Sequence, residues 1–116
     1  MARAVVPFVP DAGEVVWLQF NPQTGHEQAG MRPALVLSPA AYNGKSGLML
    51  CCPITSKTKG YPFEVRVTGN PKVAGAILAD QVKSLDWRAR KARWFARVSD
   101  DELAETRGKI KALVGF

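Results

Sequence analysis

Short apolar runs recur along the chain, each bounded by Gly, Pro or Asn, and their periodicity decides what they form. Residues 14–20 are apolar on both faces of an extended chain and predict a strand buried on both sides. Residues 34–38 and 48–52 have the same character. Residues 63–68 alternate, with Phe63, Val65 and Val67 on one side and Glu64, Arg66 and Thr68 on the other, the signature of a half-buried strand. Residues 75–79 make a fifth run, extendable to Val82, and residues 94–98 a short sixth. Asn21-Pro22, Asn43-Gly44 and Gly69-Asn70-Pro71 are turn signals. Strands spaced this closely leave no room for crossover helices, so the pattern predicts an antiparallel barrel or sandwich.

The pattern changes period at one place. Ser99 followed by Glu102 reads as a capping box, with Ser99 as N-cap and Glu102 at the third helical position. Acids fill the first turn and Lys109 and Lys111 the last, as the helix dipole favours. Leu103, Ile110, Leu113 and Val114 form an apolar stripe, and Gly115 follows the end. The predicted role is a helix covering the barrel.

Composition adds bounds. The 116 residues, 47% hydrophobic and 22% charged, fit one globular domain over 1–116. No apolar run approaches the roughly 18–20 residues that span a bilayer, and Pro7 and Pro10 interrupt the apolar N-terminus, so a cytoplasmic protein with no membrane partner is expected. The only cysteines, Cys51 and Cys52, are strand neighbours pointing to opposite faces, which disfavours a disulfide between them. A single His26 and scattered carboxylates show no metal-ligand spacing, so neither a metal site nor a cofactor is expected. Sixteen Lys and Arg against ten Asp and Glu give a net +6, compatible with a polyanionic partner and equally with an ordinary basic protein.

Three polar segments are candidates for chemistry. The stretch 25–32 carries His26, Glu27 and Gln28 and ends on Arg32 beside Pro33, where a fixed backbone positions a guanidinium for a phosphate. The stretch 53–60 sets Thr55, Ser56, Lys57 and Lys59 at a strand end, where hydroxyls and ammonium groups can hold a phosphodiester. Each also reads as a solvated loop. The stretch 83–97 holds Lys83, Arg88, Arg90, Lys91, Arg93 and Arg97 against Asp86 alone, a net +5, with Trp87 and Trp94 interleaved. Cations with aromatics suit single-stranded nucleic acid; core tryptophans with a solvated charged rim are the other reading. RNA supplies its own nucleophile, the 2′-OH. Arg32 and Thr55 could stabilise a phosphorane, while Glu27 or His26 moved protons.

At these residues the chain resembles the MazF/PemK family of toxin endoribonucleases, in its MazF branch. The matching stretches are Phe8-Val9-Pro10-Asp11-Ala12-Gly13, Glu27-Gln28-Ala29-Gly30-Met31-Arg32-Pro33-Ala34-Leu35-Val36-Leu37-Ser38-Pro39, Tyr42-Asn43, Lys59-Gly60-Tyr61-Pro62-Phe63-Glu64-Val65, Leu78-Ala79-Asp80-Gln81-Val82-Lys83-Ser84 and Trp87-Arg88-Ala89-Arg90. The resemblance implies a mainly β, SH3-like antiparallel barrel with a C-terminal helix, acting as a homodimer. It implies metal-independent, sequence-specific cleavage of single-stranded RNA, chiefly mRNA, to 2′,3′-cyclic phosphate and 5′-OH ends, blocking translation. A cognate acidic, MazE-like antitoxin would occupy the RNA groove. Arg32 and Thr55 match catalytic residues, and Glu27 and Gln28 match the active-site loop. Lys59 lies near the RNA path, and Asp80 and Gln81 match an Asp-Gln pair of the PemK branch. His26, Ser56, Lys57, Lys83 and Arg88 complete the expected RNA contacts. Leu78 stands where the PemK branch has an arginine, and Arg93-Trp94-Phe95 replaces a more polar stretch. The rivals are a non-catalytic RNA-binding barrel and a gyrase poison of the same fold.

Overall fold

The computed structural model describes residues 8–20 and 30–116. Its seven strands form one antiparallel sheet: β1 (Glu14–Gln19), β2 (Met31–Val36), β3 (Leu48–Thr55), β4 (Glu64–Arg66), β5 (Ala76–Leu78), β6 (Lys83–Asp86) and β7 (Arg93–Arg97). A short helix, α1 (Ala40–Ser46), joins β2 to β3; a single 3-10 turn (Ala79–Gln81) joins β5 to β6; and α2 (Asp100–Val114) follows β7. The strand order is β4-β5-β3-β2-β1-β7, with β6 beside β3. The fold is therefore mainly β with a C-terminal helix, as expected, although the sheet does not close: β4 and β7 are its ends.

The eight-residue β3 organises the sheet. On one edge Cys51–Pro53 pair with β2. On the other edge its first half pairs with β6 and its last two residues, Ile54 and Thr55, with β5. Alternation along the strands divides the apolar side chains between two clusters. Val15, Leu35, Cys52, Ile54, Val65, Ile77 and Ala96 belong to one, closed over by Leu103 and Ile110 of α2. Val16, Ala34, Val36, Met49, Cys51, Leu85 and Trp87 belong to the other, with Phe8 and Val9 against it. Side chains from β4 and β7, the two ends of the strand path, share the first cluster, so the sheet curls around it. Each fully buried aliphatic side chain contributes about 1.5–3 kcal/mol. Cys51 and Cys52 are both buried and unbridged, one in each cluster, as their neighbouring positions on a strand require.

Three sequence expectations need correction, and one strand lies outside the runs read from the sequence. Asn43-Gly44 is not a turn; it lies inside α1. Asn43 is fully buried and donates from Nδ2 to the carbonyls of Pro10 (2.8 Å) and Ser38 (2.9 Å), while its Oδ1 accepts from Ser38 Oγ at 2.6 Å. Its backbone carbonyl accepts the Trp87 indole N–H at 2.9 Å. This tertiary network outweighs the roughly 1 kcal/mol that an interior glycine costs a helix. The polar-looking Lys83–Asp86 is a strand, β6, because Leu85 alone faces the core. Arg32 sits on β2 and not at the end of a loop. The α2 stripe stops early: Leu103 is buried and Ile110 partly so, but Leu113 and Val114 are 49% and 63% exposed.

The α2 capping box forms as expected. Ser99 Oγ accepts the Glu102 N–H, and Glu102 Oε1 accepts the Ser99 N–H, both at 3.1 Å. Gly69-Asn70-Pro71 is a turn, with the Val73 N–H donating to Asn70 O at 3.1 Å. The Asn21-Pro22 signal lies outside the described residues. Among the described residues, no helix is long and apolar enough to cross a membrane.

Candidate functional site

Arg32 and Thr55 come from neighbouring strands. The β2–β3 register pairs Val36 with Cys51, Leu35 with Cys52 and Ala34 with Pro53. The ladder ends at Ala34–Pro53, beyond which Thr55 pairs with Ala76 of β5, so Arg32 and Thr55 each lie two residues past the last β2–β3 pair. Both line a groove of about 680 Å³. Its polar half holds Arg32, Thr55, Ser56, Lys57, Lys72, Gln81 and Lys83; its apolar half includes Trp17, Phe20, Met31, Ile54, Val73 and Phe95.

Among the described residues, charge in the groove has one sign: Arg32, Lys57, Lys72 and Lys83 line it, and no Asp or Glu does. Arg32, Lys57 and Lys83 are exposed and hold their charge where a mobile anion can reach it. Such a concavity concentrates field lines and attracts polyanions. Thr55 is oriented within it, because its Oγ1 accepts the Lys57 N–H at 3.1 Å. That bond uses an acceptor lone pair and leaves the hydroxyl hydrogen for an oxyanion.

Gly75 sets the wall behind Thr55. It has φ of +115°, and a Cβ there would lie 1.9 Å from the Thr55 carbonyl oxygen. Only glycine permits this approach of β5 to the end of β3.

The structure thus brings together Arg32, Thr55, Ser56, Lys57, Gln81 and Lys83. It separates others. The Lys59 backbone N–H binds both Glu64 carboxylate oxygens at 3.1 Å, and its ammonium lies 5.8 Å from the Tyr61 ring centroid, outside the groove lining. Asp80 is exposed on the 3-10 turn and does not line the groove, although its neighbour Gln81 does. Arg88 is elsewhere: its guanidinium stacks 4.6 Å from the Trp87 ring and donates to the Gly44 carbonyl at 3.2 Å. Glu27, His26 and Gln28 lie outside the described residues.

The basic stretch 83–97 is therefore not one surface. Only Lys83 and Phe95 reach the groove. Arg90 donates to the carbonyls of Gln19 (3.1 Å) and Phe20 (2.6 Å) at the end of β1. Arg97 covers Gly13 and bonds Ala12 O at 3.4 Å. Trp87 is core, 5% exposed, whereas Trp94 is 52% exposed.

Sequence reasoning missed Lys72, Trp17, Phe20 and Phe95. Lys72 follows the Asn70 turn and is carried to Thr55 by the β3–β5 pairing, which no local signal announces. The three aromatics sit in apolar runs, where they read as core.

Comparison with known proteins places this architecture. Residues 11–114 match the family described as PemK-like, MazF-like toxin of type II toxin-antitoxin system. The chain is 51% identical over 108 residues to the endoribonuclease toxin MazF of Escherichia coli K12, covering 93% of this chain and 96% of that protein. It is 29% identical over 109 residues to the Escherichia coli endoribonuclease PemK. A crystal structure of MazF from Deinococcus radiodurans superposes with a TM-score of 0.86 at 59% identity, covering 95% of this chain and 100% of that one. A MazE-MazF crystal structure from the same organism gives 0.84 at 54% identity, over 95% of this chain and 99% of that one. With the fold and nearly the whole chain in agreement, this protein belongs to the MazF-like, PemK-like family of toxins of type II toxin–antitoxin systems.

Proposed function

We propose that the protein is an endoribonuclease that cuts single-stranded RNA, chiefly mRNA, at specific sequences without a metal, and so blocks translation in the cytoplasm. The observation that carries this reading is that Arg32 and Thr55 line one groove, in which the described lining residues include four cations and no carboxylate. The names of its relatives, endoribonucleases MazF and PemK, support it.

In the proposed reaction the 2′-OH of the substrate loses its proton to a base and attacks the adjacent phosphorus. The 5′-oxygen departs with a proton. The products are a 2′,3′-cyclic phosphate and a 5′-OH. Arg32 and the Thr55 hydroxyl donate hydrogen bonds to the nonbridging oxygens, where charge builds in the phosphorane. A guanidinium offers hydrogen-bond donors and no acceptor, so Arg32 is assigned to charge stabilisation and not to removing the proton. Glu27 or His26 would move protons. Ser56, Lys57, Gln81 and Lys83 would contact the strand, with Gln28 on the adjoining loop and Lys59, Asp80 and the exposed Arg88 further along its path.

Two partners accompany the reading. An acidic, MazE-like antitoxin segment suits the same groove, and the relatives' MazE-MazF complexes support it. A second copy of the chain suits the exposed apolar Leu48, Leu50 and Val82.

The test is cleavage of single-stranded RNA in excess EDTA with end-group mapping. Cyclic phosphate ends are expected. Intact RNA, with the protein shown to be folded, would leave a non-catalytic RNA-binding barrel or a gyrase poison.

A further inference from the structure

The apolar half of the groove is built by an irregularity in the sheet. The β1–β7 ladder pairs Val15 with Ala96 and then Val16 with Trp94, so β7 carries one residue too many at this step. The unpaired residue is Phe95. Bulges of this kind re-aim a side chain and recur beside active sites. Here the bulge sets the Phe95 ring 5.3 Å from that of Trp17, tilted by 57°. Both rings line the groove that holds Arg32 and Thr55, and both are only half-buried, so ring surface remains open to an occupant. Trp94, the more exposed neighbour, does not line it.

Resting on the ribonuclease reading, we propose that Phe95, supported by Trp17, is a nucleobase-stacking residue that holds one unpaired base of the RNA beside the phosphate engaged by Arg32 and Thr55. A single strand whose phosphates follow the cations must direct its bases away from them. Among the described residues three aromatics line this groove, Trp17, Phe20 and Phe95, and the Trp17–Phe95 pair is the one in ring contact. A base accepts such a surface whatever its hydrogen-bonding edge, because every base has a π-face. The wall therefore fixes where the strand sits, and sequence is read from that fixed position by groups such as Gln81 and Ser56.

The experiment pairs ring removal with base removal. Phe95→Leu keeps apolar volume against the core cluster that Phe95 touches and removes the π-face; Phe95→Tyr keeps it. Each protein is assayed for kcat and KM on an oligoribonucleotide in which successive nucleotides are made abasic, with melting curves as control. In the wild type, one abasic position should raise KM by about 5- to 150-fold, the range of one base–aromatic stack. Phe95→Leu should raise KM similarly on intact RNA, change kcat less, and show no added penalty at that position; Phe95→Tyr should restore the wild-type pattern. An unchanged KM in Phe95→Leu, or penalties that multiply at every abasic position, would overturn the inference while leaving the ribonuclease reading intact. A wild type that cuts nothing removes the ribonuclease reading instead. The same scan is then read by fluorescence anisotropy as binding, where one coupled position still supports the stack and its absence overturns it.

Discussion

The Thr68 backbone N–H donates to Glu102 Oε2 at 2.6 Å, across 34 positions of sequence. The same oxygen accepts the Gly69 N–H at 3.0 Å, while Oε1 closes the capping box on Ser99. One buried carboxylate thus ties the start of α2 to the turn after β4. Burial alone would raise the Glu102 pKa, but hydrogen bonds from Thr68, Ser99 and Gly69 outweigh it and hold the pKa below its ordinary value. A depressed pKa means stability present above the unfolded value of about 4.3 and lost as pH falls through the folded one. Glu102→Gln should cost about 1–3 kcal/mol near neutrality. Urea midpoints measured from pH 7 down to pH 3 should show the gap from the wild type shrinking at the acid end; a constant gap would deny the charge its role.

Arg32→Ala should lower cleavage by about 10²–10³-fold, the usual loss on removing a transition-state oxyanion donor. The Arg32 side chain is exposed and forms no hydrogen bond to another described residue, so the melting curve of the variant should stay within about a degree of the wild type. Thr55→Val keeps the shape and removes the hydroxyl; single-turnover rates should fall with little change in melting. Normal cleavage by either variant would refute its catalytic assignment.

Gly75→Ala places a Cβ 1.9 Å from the Thr55 carbonyl oxygen, against rigid backbone. We expect a loss of more than about 2 kcal/mol in stability, together with loss of cleavage. Gly60 also has a positive φ, +76°, but a Cβ there meets nothing within 4 Å. Gly60→Ala should cost only about 1 kcal/mol. Equal effects of the two in thermal unfolding would show that the close approach at Thr55 does not matter.

RNA affinity should fall with salt. If all four groove cations neutralise phosphates, log K against log salt has a slope of about −2.8 for a single strand, and Lys72→Ala flattens it by about 0.7. Anisotropy titrations between low and moderate salt measure both. An unaltered slope in the variant would place Lys72 off the strand.

Burial pushes the thiols of both Cys51 and Cys52 up to about 12. The native protein should resist iodoacetamide at pH 8 and react at both cysteines in urea. Because unfolded thiols ionise near pH 8.5, the raised values favour the fold below that pH, and this contribution is lost as pH rises toward 12. Rapid alkylation of the folded protein would contradict the burial of these groups.

The sequence showed most of what depends on strand period and local caps. The two-faced runs of β1 to β3, the alternation about Val65, the separation of Cys51 from Cys52 and the Ser99–Glu102 box all follow from neighbours a few residues apart. Helix α1 was hidden because its one buried side chain is a polar Asn43, whose partners Pro10 and Trp87 are remote in sequence. Strand β6 was hidden because a short edge strand buries only Leu85. In the groove, Arg32 and Thr55 carried recognisable motifs. Lys72 and Phe95 did not, since one is delivered by strand pairing and the other by a bulge. For Arg88 the charge is visible in sequence, but its contacts with the Trp87 ring and the Gly44 carbonyl are not.

The groove draws its walls from Trp17 through Phe95 of a 116-residue chain. A ribosome must therefore deliver most of the polypeptide, and the last strand must dock against the first, before any complete site exists. A chain that ends before β7 keeps Trp17 but lacks Phe95, and it also lacks the helix that closes the core. On the ribonuclease reading, the site is complete only when nearly all of the chain, through Phe95, has been made.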